Sequence, residues 1–600
     1  MSDTVLQISN LSVALPKGAD RSHAIEQISL SIQRGQTLCV VGESGSGKSV
    51  MATAVMGLLA KELKADHGEI LLQAEALLKA PQTRLRELRG QAMGMVFQEP
   101  MTALNPVMRC GDQVDELLAT HTDWSSDKRK AEVLRVFESV KLPDPLRMYG
   151  SFPHQLSGGQ RQRIVIAMAV ILKPALLICD EPTTALDVTT QKEILKLISQ
   201  LQAEQGCAVL FITHDMGVVA EIADHVLVMN QGRAVESGTC EQVLKRPRET
   251  YTQTLLAAVP SMTPPPARAL PDTPPVLRVS GLGKRYEHHW ALQDAAVRVR
   301  AGETVGIVGE SGSGKTLTSL SLIGLLPPGV HVSAGTAVIE GEVIDLSNEK
   351  RLSQLRGATV GMIFQEPMAA LDPCFTIGHQ LAEVIRLQGL GAAQVQAKVI
   401  ELLEQVKIPN PQDVAQRYPH QISGGMAQRV GIARALASEP KILLADEPTT
   451  ALDVTVQAQI FDLLRELQRD KGTAIVLITH DMGAVAEMAD RVLVMYAGRV
   501  VEEGHTAQVL GQPGHPYTQG LIGCLPELGS SQQSERHDLA EIAGMVPSIW
   551  DLGTGCAFRE RCPQALARCA HEVPPMFALA DSTAAAPHRS ACWLQEVLGA

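Results

Sequence analysis

Six hundred residues carrying a formal net charge of −12 exceed the roughly 250–300 residues at which one core stops growing, so at least two domains are expected. No basic stretch runs beyond a few residues, which excludes the electrostatic footprint of a nucleic-acid binder and leaves an acidic balance that suggests only solubility. The most apolar stretch, Ile164 to Ile178, is broken by Lys173 and Pro174 and falls short of the roughly 20 residues that span a bilayer. The opening MSDTVLQISN lacks the basic-then-apolar pattern of a signal peptide, so the chain is expected in the cytoplasm with its thiols reduced or metal-bound.

In chain order, a β-like segment, Thr37 to Val41, runs into Gly42-Glu43-Ser44-Gly45-Ser46-Gly47-Lys48-Ser49, the GxxxxGK[ST] loop in the strand–loop–helix context it requires. Gln98 follows in VFQEPMTALNP, then a stretch of helical patterning from Asp112 to Val140, then LSGGQ at Leu156 to Gln160. An apolar run, Leu176 to Cys179, ends at Asp180 and Glu181, and continuous apolar strands of this kind suit a parallel sheet covered on both faces. ALDVT around Asp187, ITHDM around His214 and a tail at Tyr251-Thr252-Gln253 complete the first set. A Pro-rich segment from Pro260 to Pro275 is expected to be an extended, semi-rigid tether.

The same set then recurs. Thr304 to Val308 leads into Gly309-Glu310-Ser311-Gly312-Ser313-Gly314-Lys315-Thr316, and Gln365 lies in IFQEPMAALDP. Ile377 to Val406 is again helical in pattern, ISGGM spans Ile422 to Met426, and Ile442 to Ala445 precede Asp446 and Glu447. The intervals hold: 315 − 48 and 365 − 98 are 267, while 423 − 157, 446 − 180, 480 − 214 and 517 − 251 are 266. One nucleotide-binding domain has been written twice. The expected fold class is α/β, with two P-loop NTPase domains in tandem at 1–258 and 276–526, each holding an inserted helical subdomain. A linker at 259–275 separates them, and a small Cys-rich extension occupies 527–600.

The residue types explain the chemistry. Glycines let backbone N–H groups turn inward around phosphate oxygens, and the following helix adds positive potential. Lys48 and Lys315 are expected on the β- and γ-phosphates of ATP, with Mg²⁺ held through Ser49, Gln98 and Asp180 in one half and Thr316, Gln365 and Asp446 in the other. Glu181 and Glu447 are placed to take a proton from the attacking water. A lone histidine after an apolar strand is usually structural, but His214 and His480 each follow such a strand downstream of a P-loop.

LSGGQ and ISGGM are absent from P-loop ATPases in general, and with them the sequence resembles the ABC transporter ATPase family from about Val5 to about Gly523. The resemblance implies that the halves stack head to tail, each ATP lying between one P-loop and the other half's signature. One composite site would join the first loop, Gln98, Asp180, Glu181 and His214 to Ser423, Gly424 and Gly425; its mate would join the second loop, Gln365, Asp446, Glu447 and His480 to Ser157, Gly158 and Gly159. His214 and His480 then look like switch histidines that contact the γ-phosphate and orient the catalytic glutamate. Asp187 and Asp453 match the segment through which one site senses the other. The second signature departs from the usual pattern at Met426, where the first has Gln160. Tyr286 is placed to stack on adenine, whereas its counterpart is Leu15 with His23 as a substitute ring. Base–aromatic stacking is worth about 1–3 kcal/mol, so the first site is expected to bind ATP about 5- to 150-fold more weakly.

QEPM followed by ALNP or ALDP, with SFPHQLSGG and YPHQISGG, resembles the peptide and nickel importer branch. That implies two integral-membrane permease subunits, an extracytoplasmic solute-binding protein, no nucleic acid, and a peripheral place on the cytoplasmic face of the inner membrane. The tail holds Cys556, Cys562, Cys569 and Cys592 at gaps of 6, 7 and 23, neither the CxxC pairs of a zinc ribbon nor a ferredoxin run. Thiolates favour metal or an iron–sulfur cluster, and reduced structural thiols or disulfides are the alternatives. The segment is similar to the tail of oligopeptide and dipeptide importer ATPases, some of which hold a [4Fe-4S] cluster. The rival readings are a twin ABC ATPase acting on ribosome or DNA, and an ATP-holding regulatory module. Dipeptide, oligopeptide, glutathione, opine and nickel are not separable from this chain.

Overall fold

The computed structural model describes the chain apart from residues 1–2, 20, 99–102, 185, 267, 269–272, 327–331, 450–451, 526–541, 543, 584–585 and 599–600. In the first half a parallel sheet runs in the order Met93–Val96, Leu176–Asp180, Ala208–Ile212, Thr37–Val41 and His225–Asn230, closed at one edge by antiparallel Arg233–Thr239. Every residue of Leu176–Asp180, Ala208–Ile212 and Thr37–Val41 is buried. That is why these runs are apolar without alternation: both faces are covered. A second, antiparallel sheet pairs Thr4–Ala14 with His23–Gln33 and Lys64–Leu72, and its apolar side shares a core with the helix Lys48–Val55.

The stretch expected to be helical forms Cys110–His121 and Ser126–Ser139. Val114, Leu118, Val133, Val136 and Phe137 turn inward to the core that also holds the helix Gly158–Val170, the i, i+3/i+4 spacing of amphipathic helices. The second half repeats the plan, with Ile377–Arg386 and Ala392–Gln405 as its inserted helices. Its parallel sheet runs Val360–Ile363, Ile442–Asp446, Ala474–Ile478, Thr304–Val308 and Arg491–Tyr496. Both strands expected to feed the loops, Thr37–Val41 and Thr304–Val308, lie in the middle of their sheets and are buried along their whole length.

The two halves differ at one edge. Arg499–His505 pairs onward with Arg589–Ser590, which pairs with Phe577–Ala578, so the C-terminal extension widens the second sheet. Glu502, fully buried, accepts Gly514 N–H at 2.7 Å and His515 N–H at 2.9 Å from its own half and fastens the extension by facing His588 Nε2 at 3.0 Å. Asp581 meets the other ring nitrogen at 2.8 Å. Between the halves, the described residues of 259–275 form no helix or strand, and Arg268 ties that segment to the second half through Asp490 at 2.7 Å and the Gly302 carbonyl at 2.6 Å. No helix among the described residues is long and apolar enough to cross a membrane.

Candidate nucleotide sites

Each loop closes over its own lysine. Lys48 Nζ donates to the Gly42 and Glu43 carbonyls at 2.7 and 2.9 Å, and Lys315 Nζ to those of Gly309 and Glu310 at 2.8 and 3.0 Å. Gly42 has φ 148°, and a Cβ there would lie 2.1 Å from the Met229 carbonyl oxygen, so only glycine lets the loop leave its strand at that point. Burial pushes both lysines below the usual ammonium range, against the opposing pull of nearby carboxylates. Ser49 Oγ donates to Asp180 Oδ1 at 3.1 Å and Thr316 Oγ1 to Asp446 Oδ1 at 3.2 Å, so hydroxyl and carboxylate converge on one point, as a Mg²⁺ ligand pair must. Burial, reinforced by the neighbouring glutamate, raises Asp180 and Asp446 to about 6.

Glu181 and Glu447 sit at the strand ends in the left-handed region, φ 46° and 48°, which turns their carboxylates back over the loop. Gln98 Nε2 donates to Glu181 Oε2 at 2.9 Å, and His214 Nδ1 lies 3.3 Å from its Oε1. Gln365 and His480 hold Glu447 in the same way at 2.9 and 3.2 Å. Burial alone would raise Glu181, but the His214 bond and the Lys48 charge hold it below the usual carboxylate range. Burial would likewise lower both histidines; the glutamate hydrogen bonds raise them instead. A glutamate kept ionised and aimed at the loop is a proton acceptor in waiting.

The halves meet head to tail. Ser44 N–H donates to Asp453 Oδ2 at 3.4 Å and Thr455 Oγ1 to Glu43 Oε1 at 2.6 Å. Reciprocally, Ser311 N–H meets Asp187 Oδ2 at 3.3 Å and Thr189 Oγ1 meets Glu310 Oε1 at 2.6 Å. These bonds come from Asp187, Thr189, Asp453 and Thr455; among the described residues no hydrogen bond joins a signature serine to the opposite loop. Instead Ser157 and Ser423 cap the helices Gly158–Val170 and Gly424–Leu436, with Gly158, Gly159, Gly424 and Gly425 opening the first turn. Ser157 and Gln160 form a reciprocal capping box at 3.3 and 3.0 Å. Met426 has no acceptor to return that bond, so Ser423 accepts from Met426 N–H alone at 3.3 Å.

Several contacts escaped the sequence. Tyr251 Oη accepts from Glu43 N–H at 3.3 Å and Tyr517 Oη from Glu310 N–H at 2.8 Å, so the shared tail reaches back to its own loop; its repetition at 266 residues was the available signal. Strand registers place Leu15 opposite Ser22 where Tyr286 faces His289, which upholds that alignment. His23 is engaged by Asp66 at 3.2 Å and Ser22 at 3.0 Å, while Lys284 Nζ lies 5.0 Å over the Tyr286 ring. Glu99, Pro100 and Met101 of the first QEPM string lie outside the described residues.

None of the eleven cysteines is in a disulfide. Cys556, Cys562, Cys569 and Cys592 line one cavity of about 20 Å³, room for about one water-sized sphere. Among the described residues no three His, Cys, Asp or Glu side chains stand as a metal-ligand group. Burial, then the mutual charge of the other three, pushes the Cys592 thiol up to about 11. The four thiols are soft donors of the type a metal centre uses, but burial favours the protonated form of Cys592 and the spacing is not that of a formed site.

Two P-loops, each hydrogen-bonded to the other half's Asp-x-Thr segment, define a twin P-loop protein whose halves meet at both loops. The ABC transporter family model matches residues 25–184 and 292–450, and the chain belongs to that family. The model for the C-terminal region of oligopeptide/dipeptide transporters matches 235–289 and 501–569. The chain is 43% identical over 590 residues to the glutathione import ATP-binding protein of Salmonella typhimurium strain LT2, covering 91% of this chain and 93% of that one. It is 43% identical over 574 residues to the protein of the same description from Escherichia coli strain K12, at 88% and 90% coverage.

Proposed function

We propose that this chain is the ATP-hydrolysing motor of an ABC importer, seated on the cytoplasmic face of the cell membrane against two permease subunits and supplied by an extracytoplasmic solute-binding protein. The solute is a di- or oligopeptide or a related small solute such as glutathione. The observation that carries the reading is the reciprocal pair of sites, each complete with a lysine, an Asp–Glu pair, a glutamine and a histidine. The oligopeptide-type tail and the import relatives support the solute class. An apolar cavity of about 280 Å³ beside Gln365, lined by Phe364, Pro367, Leu371 and Leu387, suits an inserted permease helix.

Mechanistically, Lys48 and Lys315 exchange their loop carbonyls for β- and γ-phosphate oxygens of ATP. Ser49, Asp180 and Gln98, and in the other half Thr316, Asp446 and Gln365, would hold Mg²⁺ through their oxygen donors, and the bound ion would supply charge neutralisation at the phosphates. Glu181 and Glu447 accept the proton of the attacking water while His214 and His480 hold them in line. Ser157, Ser423 and the glycines after them present helix N-termini to the γ-phosphate of the opposite site. Closure of the halves on ATP, and reopening after hydrolysis, drives the permeases. We further infer that Cys556, Cys562, Cys569 and Cys592 ligate a metal centre, [4Fe-4S] in the preferred form; iron and acid-labile sulfide assays on anaerobically purified protein test it, and their absence excludes the cluster.

The test of the whole reading is ATPase activity of the chain alone and reconstituted with the permease pair encoded beside it, with and without binding protein and candidate peptides. Stimulation by loaded binding protein supports an importer motor. Activity indifferent to permease and solute, yet responsive to ribosomes or DNA, favours the non-transport reading.

A further inference from the structure

The Cys-rich extension touches one phosphate loop and not the other. Arg561, next in sequence to Cys562, lays its guanidinium on Glu310: Nη1 to Oε2 at 2.7 Å and Nη2 to Oε1 at 2.9 Å. The two side chains are only 6% and 5% exposed. Arg561 is itself fixed, by Tyr496 Oη and the Ile542 carbonyl, each at 3.3 Å. Phe558, from the same turn of the extension, packs edge-on against Tyr496 at 5.2 Å and lies 5.4 Å from Tyr517. Tyr517 is the residue whose hydroxyl takes the Glu310 N–H.

Glu310 is therefore gripped from three sides: Arg561 from the extension, Tyr517 from its own half, and Thr189 from the opposite half. Glu43, its counterpart in the first loop, has the equivalent Tyr251 and Thr455 contacts but meets no arginine among the described residues, and Asn230 stands where the second half has Tyr496. A bidentate arginine–carboxylate pair fixes orientation as well as charge. A buried carboxylate that loses its cation is left uncompensated and must rearrange or protonate.

We propose that Arg561 is a positioning residue of the second ATP site, through which the folded Cys-rich extension sets the ATP affinity of that site and leaves the first site alone. Arg561 does not touch the nucleotide; it holds Glu310, whose backbone is part of the phosphate loop and whose carboxylate receives Thr189. The extension is thus a one-sided control on a twin motor. This rests on the reading of residues 309–316 as an ATP site.

The test is MgATP titration of the full chain in two backgrounds, Lys48→Ala, which leaves the second loop lysine, and Lys315→Ala, which leaves the first. Arg561→Ala is expected to weaken binding roughly tenfold or more in the Lys48→Ala background, as expected on losing a charge-assisted bidentate pair. The Lys315→Ala background should change less than about twofold, and Arg561→Lys, which keeps charge but not the fork, should restore part of the loss. Glu310→Gln keeps the loop's shape and serves as the second variant: combined with Arg561→Ala it should be no weaker than the worse single change. Equal weakening in both backgrounds, no weakening in Lys48→Ala, or full additivity of Arg561→Ala with Glu310→Gln would overturn the positioning role. Failure of the Lys48→Ala protein to bind MgATP with Arg561 intact would overturn the ATP-site reading itself, and the positioning role with it.

Discussion

Thr189 in the first half shares its one hydroxyl proton between Glu310 in the second phosphate loop at 2.6 Å and Asp187 at 2.7 Å. A single side chain thus joins the segment that caps the helix Val188–Gln205 to the loop of the other domain. Thr189→Val keeps the branched shape and removes the donor. A hydrogen bond to a charged group is worth about 1.5–3 kcal/mol, so turnover should fall roughly tenfold or more if that bond is made in the closed state. Steady-state phosphate release checks it, and Thr455→Val should behave alike through Glu43.

Replacing both proposed general bases should separate binding from chemistry. Glu181→Gln with Glu447→Gln preserves the Gln98 and Gln365 contacts in size and leaves the lysines untouched. Turnover should drop by roughly 10²–10⁴ while MgATP binding persists. Undiminished phosphate release would rule out the assignment of both glutamates.

The acid limb of activity should report the aspartates. Asp180 and Asp446, raised to about 6 chiefly by burial, must lose a proton to ligate Mg²⁺. Mg²⁺-dependent ATP binding should be flat from pH 8 to 7 and weaken about tenfold per pH unit well below 6, one proton per site. The linkage in the metal-free chain has the opposite sign. A carboxyl whose folded pKa is raised disfavours folding above that pKa, and the cost is relieved as pH falls toward the unfolded value. Calorimetric titration at several pH values measures the first effect.

The adenine ends of the two sites should be unequal. With Tyr286 in one and Leu15 in the other, Lys48→Ala protein, reporting the second site, should bind MgATP about 5- to 150-fold more tightly than Lys315→Ala protein. Leu15→Tyr should close the gap. Equal affinities in the two backgrounds would sink the stacking argument.

The extension should be held by His588. Its ring, fully buried, lies between Glu502 at 3.0 Å and Asp581 at 2.8 Å; burial would lower its pKa, and the two carboxylates raise it. A histidine raised in the folded state gives stability fully present below its unfolded value near 6.5 and lost as pH rises through the higher folded value. His588→Gln should cost about 3–5 kcal/mol, because Glu502 is left buried without its cation, and the variant should lose the decline of stability on that alkaline side. Thermal unfolding from pH 6 to 9 reads both.

The sequence by itself determined a great deal of this protein. Two copies of GESGSGK, the apolar runs before Asp180 and Asp446, and a constant interval of 266–267 residues specify two P-loop domains, because a loop that must bind phosphate through its backbone and a strand buried on both faces tolerate few residue types. Glu181, His214 and Gln98 were legible for the same reason: each lies in a string that recurs with its loop. Tertiary structure alone decided which groups cross between halves. Thr189 and Thr455 close the repeated ALDVT strings, yet only the fold showed that their hydroxyls reach the opposite loop, and nothing local marks Arg561 as the partner of a glutamate 251 residues away. Contacts of that kind follow from how two folded surfaces meet, and an arginine's long side chain gives no spacing rule for its distant partner. The same limit applies to the four tail thiols: their gaps along the chain say little, and only the fold brings them to a single cavity.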